Sequence, residues 1–215
     1  MALKIDLHVH TCYSHDSITT PKQLIAYSKK QGLDGVAVTD HDTIRGALKL
    51  AHNTELIIIP GIEVSTLHGH VLALNITQPI PPKLGVLETV EKAHELSGIA
   101  VAAHPSVMFK GLRIRICKDL NFDAIEVINS VAFPFSLSTY LNRRIAANLN
   151  LPQTGGSDAH YAPEIGSAYT LVNADPEVDE IVEAIRRGAV VPFGEAIPWR
   201  IRVEKEILSL KRKLQ

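Results

Sequence analysis

The chain has 215 residues, 46% hydrophobic and 21% charged, with a formal net charge of −1. That is enough for one sizeable core and short for two full domains. No stretch approaches the roughly 20 apolar residues that span a bilayer. The N-terminus, MALKIDLHVHT, runs straight into a patterned strand and lacks a signal-peptide core, so a cytoplasmic protein is expected. The near-neutral charge excludes a broad electrostatic footprint for long nucleic acid. Cys12 and Cys117 lie in different segments and make neither a disulfide framework nor a zinc ribbon.

In chain order, Lys4–His10 reads as a strand and Pro21–Gln31 as a helix with Gly32 as its stop. Gly35–Thr39 is a strand and Thr43–His52 a helix. Leu56–Ile59 with Ile62–Ser65 forms a third strand region, and His70–Asn75 a fourth. Leu84–Leu96 is helical, and Ile99–Ala103 is a buried strand. The alternation continues with strand Ala124–Ile128, helix Ser136–Leu149, a short strand at Gln153–Gly155, strand Ala168–Val172, helix Pro176–Arg187 and strand Ala189–Phe193. About seven such β/α units predict an α/β fold with parallel strands inside helices, closed or nearly closed into a barrel. An open doubly wound sheet is the alternative, but no Gly-rich phosphate fingerprint follows the first strand. Residues 1–197 read as this one domain. Residues 198–215 read as an amphipathic basic helix, with Val203, Ile207, Leu210 and Leu214 on one stripe. It is expected to dock on the same domain, with a dimer contact as the alternative.

Ten histidines are many for this length, and their positions carry the argument. His8 and His10 sit two apart on a strand, so both imidazoles share a face, as two ligands of one metal would. Asp16 follows in the next loop, with His15 beside it as a competitor. His41 follows the second strand, Glu63 lies in PGIEVS, His70 opens the fourth strand and His104 closes the IAVAAH strand. Asp158 and His160 form a second pair in GGSDAH. A lone histidine at a strand end is more often a satisfied surface or core residue than a ligand. Here nearly every candidate falls at or just after the C-terminal end of a strand, and in a β/α barrel those ends gather on one face. His52 and His94, on helices, and His15 and His68, in loops, are left outside the cluster.

These pieces resemble the PHP domain, the family named for polymerases and histidinol phosphatase. The matching segments are DLHVHT, YSHDSITTPKQLI, GLDGVAVTDHDTIRG, PGIEVSTLHGHVLAL, AHP and GGSDAH, in the family's order and over about residues 4 to 172. The likeness is greatest to short, stand-alone phosphoesterases of the family. It implies a distorted seven-stranded β/α barrel and two to three divalent metals. His8, His10, Glu63 and Asp158 would hold the first; Glu63, His70 and His104 the second; Asp16, His41 and His160 the third. Many relatives carry S-D-G where this chain has Ser14-His15-Asp16-Ser17. Asp6 and Asp40 would orient ligand imidazoles from behind.

Mixed imidazole and carboxylate donors suit zinc, manganese or iron. The expected reaction is hydrolysis of phosphate esters, small ones including nucleotides or short oligonucleotides, by water activated at a trinuclear site. Asp158, His160 and Glu63 stand at the reacting centre, with His160 a candidate to assist the leaving oxygen. Arg143, Arg144, Lys110, Arg113 and Arg115 are candidate phosphate contacts. A histidinol-phosphate-type phosphatase, a non-catalytic metal-stabilised module and an amidohydrolase acting on C–N bonds are the competing readings.

Overall fold

The structure, a computed structural model, describes residues 2–52, 56–106 and 120–213. Strand β1 (Leu3–Val9) leads to helix α1 (Pro21–Lys30). Thr20 starts that helix: its hydroxyl accepts from the Gln23 backbone N–H while the Gln23 side chain accepts from the Thr20 N–H. Then come β2 (Gly35–Val38), α2 (Arg45–Leu50), β3 (Ile57–Thr66), β4 (Gly69–Leu74), α3 (Val86–Glu95) and β5 (Ile99–Ala102). The second half holds β6 (Ala124–Asn129), α4 (Phe135–Leu149), β7 (Gln153–Gly156), β8 (Ala168–Val172), α5 (Val178–Arg186), β9 (Val190–Gly194) and α6 (Trp199–Lys213).

The nine strands form one sheet in the order β7-β6-β5-β4-β3-β2-β1-β8-β9. The pairs β1–β2, β2–β3, β5–β6 and β6–β7 are parallel, whereas β3–β4, β4–β5, β1–β8 and β8–β9 are antiparallel. The expected all-parallel barrel is thus corrected to a mixed one. Thr66 pairs with Gly69, so only two residues separate β3 from β4, far too few for the crossover that parallel strands need. The sheet curls until β7 returns to β1 and β8. The Gly155 N–H donates to the Thr170 hydroxyl, which donates back to the Gly155 carbonyl. Just past β7, the Asp158 N–H donates to His8 O, and the His10 N–H to Ala159 O. The result is a nearly closed barrel.

The two faces of the sheet have separate apolar cores. Val36, Val38, Ile58, Ile62, Ala100 and Ile125 pack with Leu24, Ala47, Val90 and Ile145 of the surrounding helices. Ile5, Leu7, Ala37, Ile59, Leu72 and Val101 pack with Ile181 and Ile185 of α5. That helix lies across the N-terminal ends of the parallel strands, where Asp179 accepts from Asn75 and Arg186 donates to Asp123 and the Gly98 carbonyl. The other end of the interior is left for polar side chains.

Two register shifts decide which side chains reach that end. On β1, Asp6 lies opposite Val36 and Val9 opposite Val38, so three steps of β1 match two of β2. On β6, Glu126 lies opposite Thr154 and Ile128 opposite Gly155, two steps against one. An extra residue in one strand is a β-bulge, and it re-aims the side chains beyond it.

A Cβ added to Gly98, before β5 and far from the histidines, would fall 2.5 Å from the Leu74 carbonyl oxygen and 2.5 Å from Ile76 Cγ2. Gly98→Ala is expected to cost about 1–3 kcal/mol, lowering the thermal midpoint by roughly 2–10 °C. Thermal denaturation followed by circular dichroism tests this, and an unchanged midpoint would contradict the close approach of these strands.

Candidate metal centre

The polar end of the barrel collects histidines and carboxylates from across the sheet. His8 Nε2, His10 Nε2, Glu63 Oε2 and Asp158 Oδ1 face one point. His8 lies 3.1 Å from His10, 3.1 Å from Glu63 and 3.4 Å from Asp158, and His10 lies 3.1 Å from Glu63 and 3.2 Å from Asp158. Glu63 serves two sides. Its Oε2 also meets His41 Nδ1 at 3.2 Å, while its Oε1 meets His70 Nδ1 at 2.7 Å and His104 Nε2 at 3.1 Å. A third group sits further out, where Asp16 Oδ2 lies 3.1 Å from His160 Nε2 and 3.5 Å from His41 Nε2.

All nine candidates therefore converge, and three sets of donor atoms lie close enough to share an ion: His8, His10, Glu63, Asp158; His41, Glu63, His70; and His10, Asp16, His41, His160. His70 opens β4 rather than ending a strand, yet joins because β4 is antiparallel and its start lies beside the end of β3. His104 and Asp158 have left-handed backbones, with φ of 29° and 55°. Such conformations persist where the surroundings over-determine them.

The donor set fits divalent cations. Bonds of about 2.0–2.2 Å put neighbouring ligand atoms roughly 2.8–3.6 Å apart, the spacing of the first group. Glu63 and Asp158 are held in the interior, and among the described residues their ion-pair partners are histidines. Burial works against their ionisation, but the surrounding imidazoles hold both well below the usual carboxylate range. Burial also opposes charge on His10, yet Asp158 and Glu63 draw a proton onto the ring and raise its pKa to about 9. His41 is pushed down to about 4, chiefly by burial, and offers a bare lone pair. Buried carboxylates that draw protons onto neighbouring imidazoles are a site that calls for positive charge.

The orienting contacts differ from those expected. Asp6 accepts from the backbone N–H groups of Ser157, Gly166 and His8, and Asp40 accepts from the Thr11 N–H and hydroxyl. Neither meets a ligand imidazole, because the β1 bulge turns Asp6 off the face of His8 and His10. Burial raises Asp6 to about 6. Glu126 takes the role instead: its Oε1 lies 2.9 Å from His8 Nδ1, and its Oε2 accepts from the His104 N–H and the Asn129 side chain. Asn129 also donates to Asp158 Oδ2. The sequence signal was present, a lone acid inside the apolar strand AIEVIN. His160 Nδ1 donates to the Asp158 carbonyl, which leaves Nε2 free to face Asp16.

His15 is 79% exposed and stands outside the groups, its Nε2 4.0 Å from the carboxylate of Asp16. Arg143 lines a depression with Pro152, Gln153 and Val190, at the far end of the barrel, and Arg144 lies against Tyr140. Arg143 is not brought to the histidines, because β7 and β9 begin at the opposite end, and the side chain of Arg144 is occupied by Tyr140 of its own helix. Lys110, Arg113, Arg115 and Cys117 lie outside the described residues.

Residues 6–102 match the family model of the PHP domain, and residues 140–190 match that of a PHP-associated region. An uncharacterised protein of Methanocaldococcus jannaschii is 38% identical over 142 residues, covering 60% of this chain and 82% of that relative. The chain belongs to the PHP domain family. Two solved structures share the fold. One is a two-domain protein of Bacteroides vulgatus described as containing a predicted PHP-like metal-dependent phosphoesterase, with TM-score 0.73 and 18% identity over 91% of this chain and 65% of that one. The other is the lesion-specific endonuclease Q of Pyrococcus furiosus, with TM-score 0.71 and 20% identity over 89% of this chain and 58% of that one. This PHP chain spans less than two thirds of either, and at such identities the likeness is one of fold.

Glu126→Gln should disturb the hold on His8 and weaken metal binding by about 10–100-fold, as loss of such partners commonly does. Competition with a coloured chelator measures it, and an unchanged affinity would remove Glu126 from the orienting role.

Proposed function

We propose that the nine converging residues bind two to three divalent ions and hydrolyse the phosphate ester of a small substrate, a nucleotide or a short oligonucleotide. The observation that carries this is the placement of Glu63, whose two oxygens each face a different set of imidazoles. Bound divalent ions at such a site lower the pKa of water and neutralise phosphoryl oxygens as charge develops. His8, His10, Glu63 and Asp158 would hold the innermost ion. Glu63, His70 and His104, with His41 at their edge, would hold the second. Asp16, His41 and His160 would hold the third, with Asp16 favoured over His15 by its position.

Access is graded. His8 and His10 are sealed at 0% exposure, whereas His160 is at 13%, His70 at 16% and Asp16, the most open of the nine, at 30%. A substrate therefore approaches from the Asp16–His160 side, and His160 is the candidate to meet the leaving oxygen there. With Nδ1 donating to the Asp158 carbonyl, Nε2 is the ring nitrogen turned toward Asp16; its lone pair would serve the third ion, and only with a proton on Nε2 would it donate to the leaving oxygen.

Endonuclease Q shares the fold, and a structure of such an enzyme holds a 27-mer duplex with an abasic lesion at the active site, which supports a phosphodiester-bearing substrate. The net charge of −1 favours a short substrate over a long duplex. A non-catalytic module is the weaker reading, since a donor stands at every one of the nine positions. Among the described residues no helix is long and apolar enough to cross a membrane.

The test is phosphate release from phosphomonoesters, nucleoside bisphosphates, mononucleotides and short oligonucleotides with manganese- or zinc-loaded protein. Asp158→Ala is expected to lower turnover by about 10²–10³-fold, in line with loss of one group that stabilises the reacting centre. Full metal occupancy with no turnover on any member of the panel would sink the catalytic reading.

A further inference from the structure

Helix α6 lies beyond both stretches matched by the family models, and two of its cations turn inward. Arg202 donates to the carbonyls of Ile197, Val131 and Ser130. Lys205 Nζ lies 2.9 Å from Glu164 Oε1, with Lys205 only 18% exposed and Glu164 fully buried. The other oxygen of Glu164 accepts from the His160 N–H at 2.8 Å and the Tyr161 N–H at 3.0 Å. The His160 carbonyl in turn accepts from the Ile18 N–H and the Ser17 hydroxyl, joining this segment to the loop that carries Asp16. A continuous series of polar contacts thus runs from α6 to the outermost donor group.

We infer that Lys205 is a positioning residue for the outermost metal position, acting through Glu164 on His160. This rests on the three-metal reading above. Glu164 is a buried carboxylate, and among the described residues Lys205 is its one ion-pair partner. A buried carboxylate that loses its cationic partner turns toward solvent or admits water. Either change weakens the charge-assisted bonds that Glu164 makes to the two backbone N–H groups. The loss reaches His160 and its alignment with Asp16. His8 and His10 ride on β1 and its continuation, bonded to Asp158 and Ala159 backbone, and His10 meets the series from Lys205 only at its end, where the Ser17 hydroxyl reaches both the His10 and the His160 carbonyls. The effect therefore falls first on the outermost position, where His160 is itself a donor.

The experiment is equilibrium dialysis of the full chain against buffered free manganese or zinc, with bound metal counted by plasma mass spectrometry. Wild type is compared with Lys205→Met, Lys205→Arg, Arg202→Met and the double variant Lys205→Met/Glu164→Gln. The thermal midpoint of the metal-free proteins serves as the folding control. Lys205→Met is expected to keep two ions at wild-type affinity and to bind the third about 10–100-fold more weakly. Lys205→Arg restores most of that affinity. The double variant restores it too, because a neutral amide keeps an oxygen facing the His160 N–H and needs no cation. Arg202→Met, which frees the same helix from the loop after β6, leaves the third ion in place. Three ions bound by Lys205→Met as tightly as by wild type would overturn the inference. So would an equal loss in Arg202→Met, or no rescue in the double variant. A wild-type protein that takes only two ions at any concentration overturns the three-metal reading itself, and that result is seen before any variant is compared.

Discussion

The structure turns on the burial of the Glu63 carboxylate in the middle of five imidazoles. A carboxylate in the interior costs several kcal/mol unless positive charge and hydrogen bonds answer it. Here the answer comes from His8, His10, His41, His70 and His104. These five rings come from β1 and its continuation, the end of β2, the start of β4 and the end of β5. Bringing them to one carboxylate fixes how those strands are ordered and which way β4 runs. Only an antiparallel β4 puts the start of its chain, and so His70, at the same end as the others.

Precision comes from backbone devices rather than from the ligands. Two bulges set apart residues that strict alternation would have grouped, and bring together residues it would have separated. Glu126 and Asn129 both face the cluster despite their odd spacing, and Asp6 leaves it despite an even one. Gly156 shows how tight the closure is: a Cβ there would lie 2.4 Å from the Cβ of His8 and 2.8 Å from its backbone nitrogen. The close approach of β7 to β1 lets the Asp158 segment bond to His8 and so completes the innermost group.

The rest of the molecule divides its labour around that end. Helix α5 fills the opposite end with apolar side chains, so the barrel interior is a core at one end and a site at the other. Helix α6 lies against the loop that follows Asn129 and the turn that carries Glu164, through Arg202 and Lys205. Its outward stripe of Trp199, Val203, Ile207 and Leu210 stays exposed. The inward contacts of α6 thus come from these two cations rather than from the apolar stripe.

How much could be read before folding follows from the range of the interactions. Strand and helix positions were legible because they rest on local periodicity, caps and glycine stops, and Pro21 and Gly32 mark the ends of α1 in sequence and structure alike. The nine candidate donors could be named from the sequence because a strand end is a local feature and the family's motifs are short and ordered. The antiparallel β4 could be read only after its two-residue turn was known to pair Thr66 with Gly69. The roles of Asp6, Glu164 and Lys205 were out of reach, and Glu126 stood out only as an acid in an apolar strand, without its partners. Bulges depend on how two strands register, and Lys205 meets Glu164 from an element distant in the chain. Sequence alone determined which chemical groups the protein carries and roughly where its strands end. Tertiary structure decided which of those groups share one small volume, because register, strand direction and helix docking are properties of pairs of segments and not of either segment by itself.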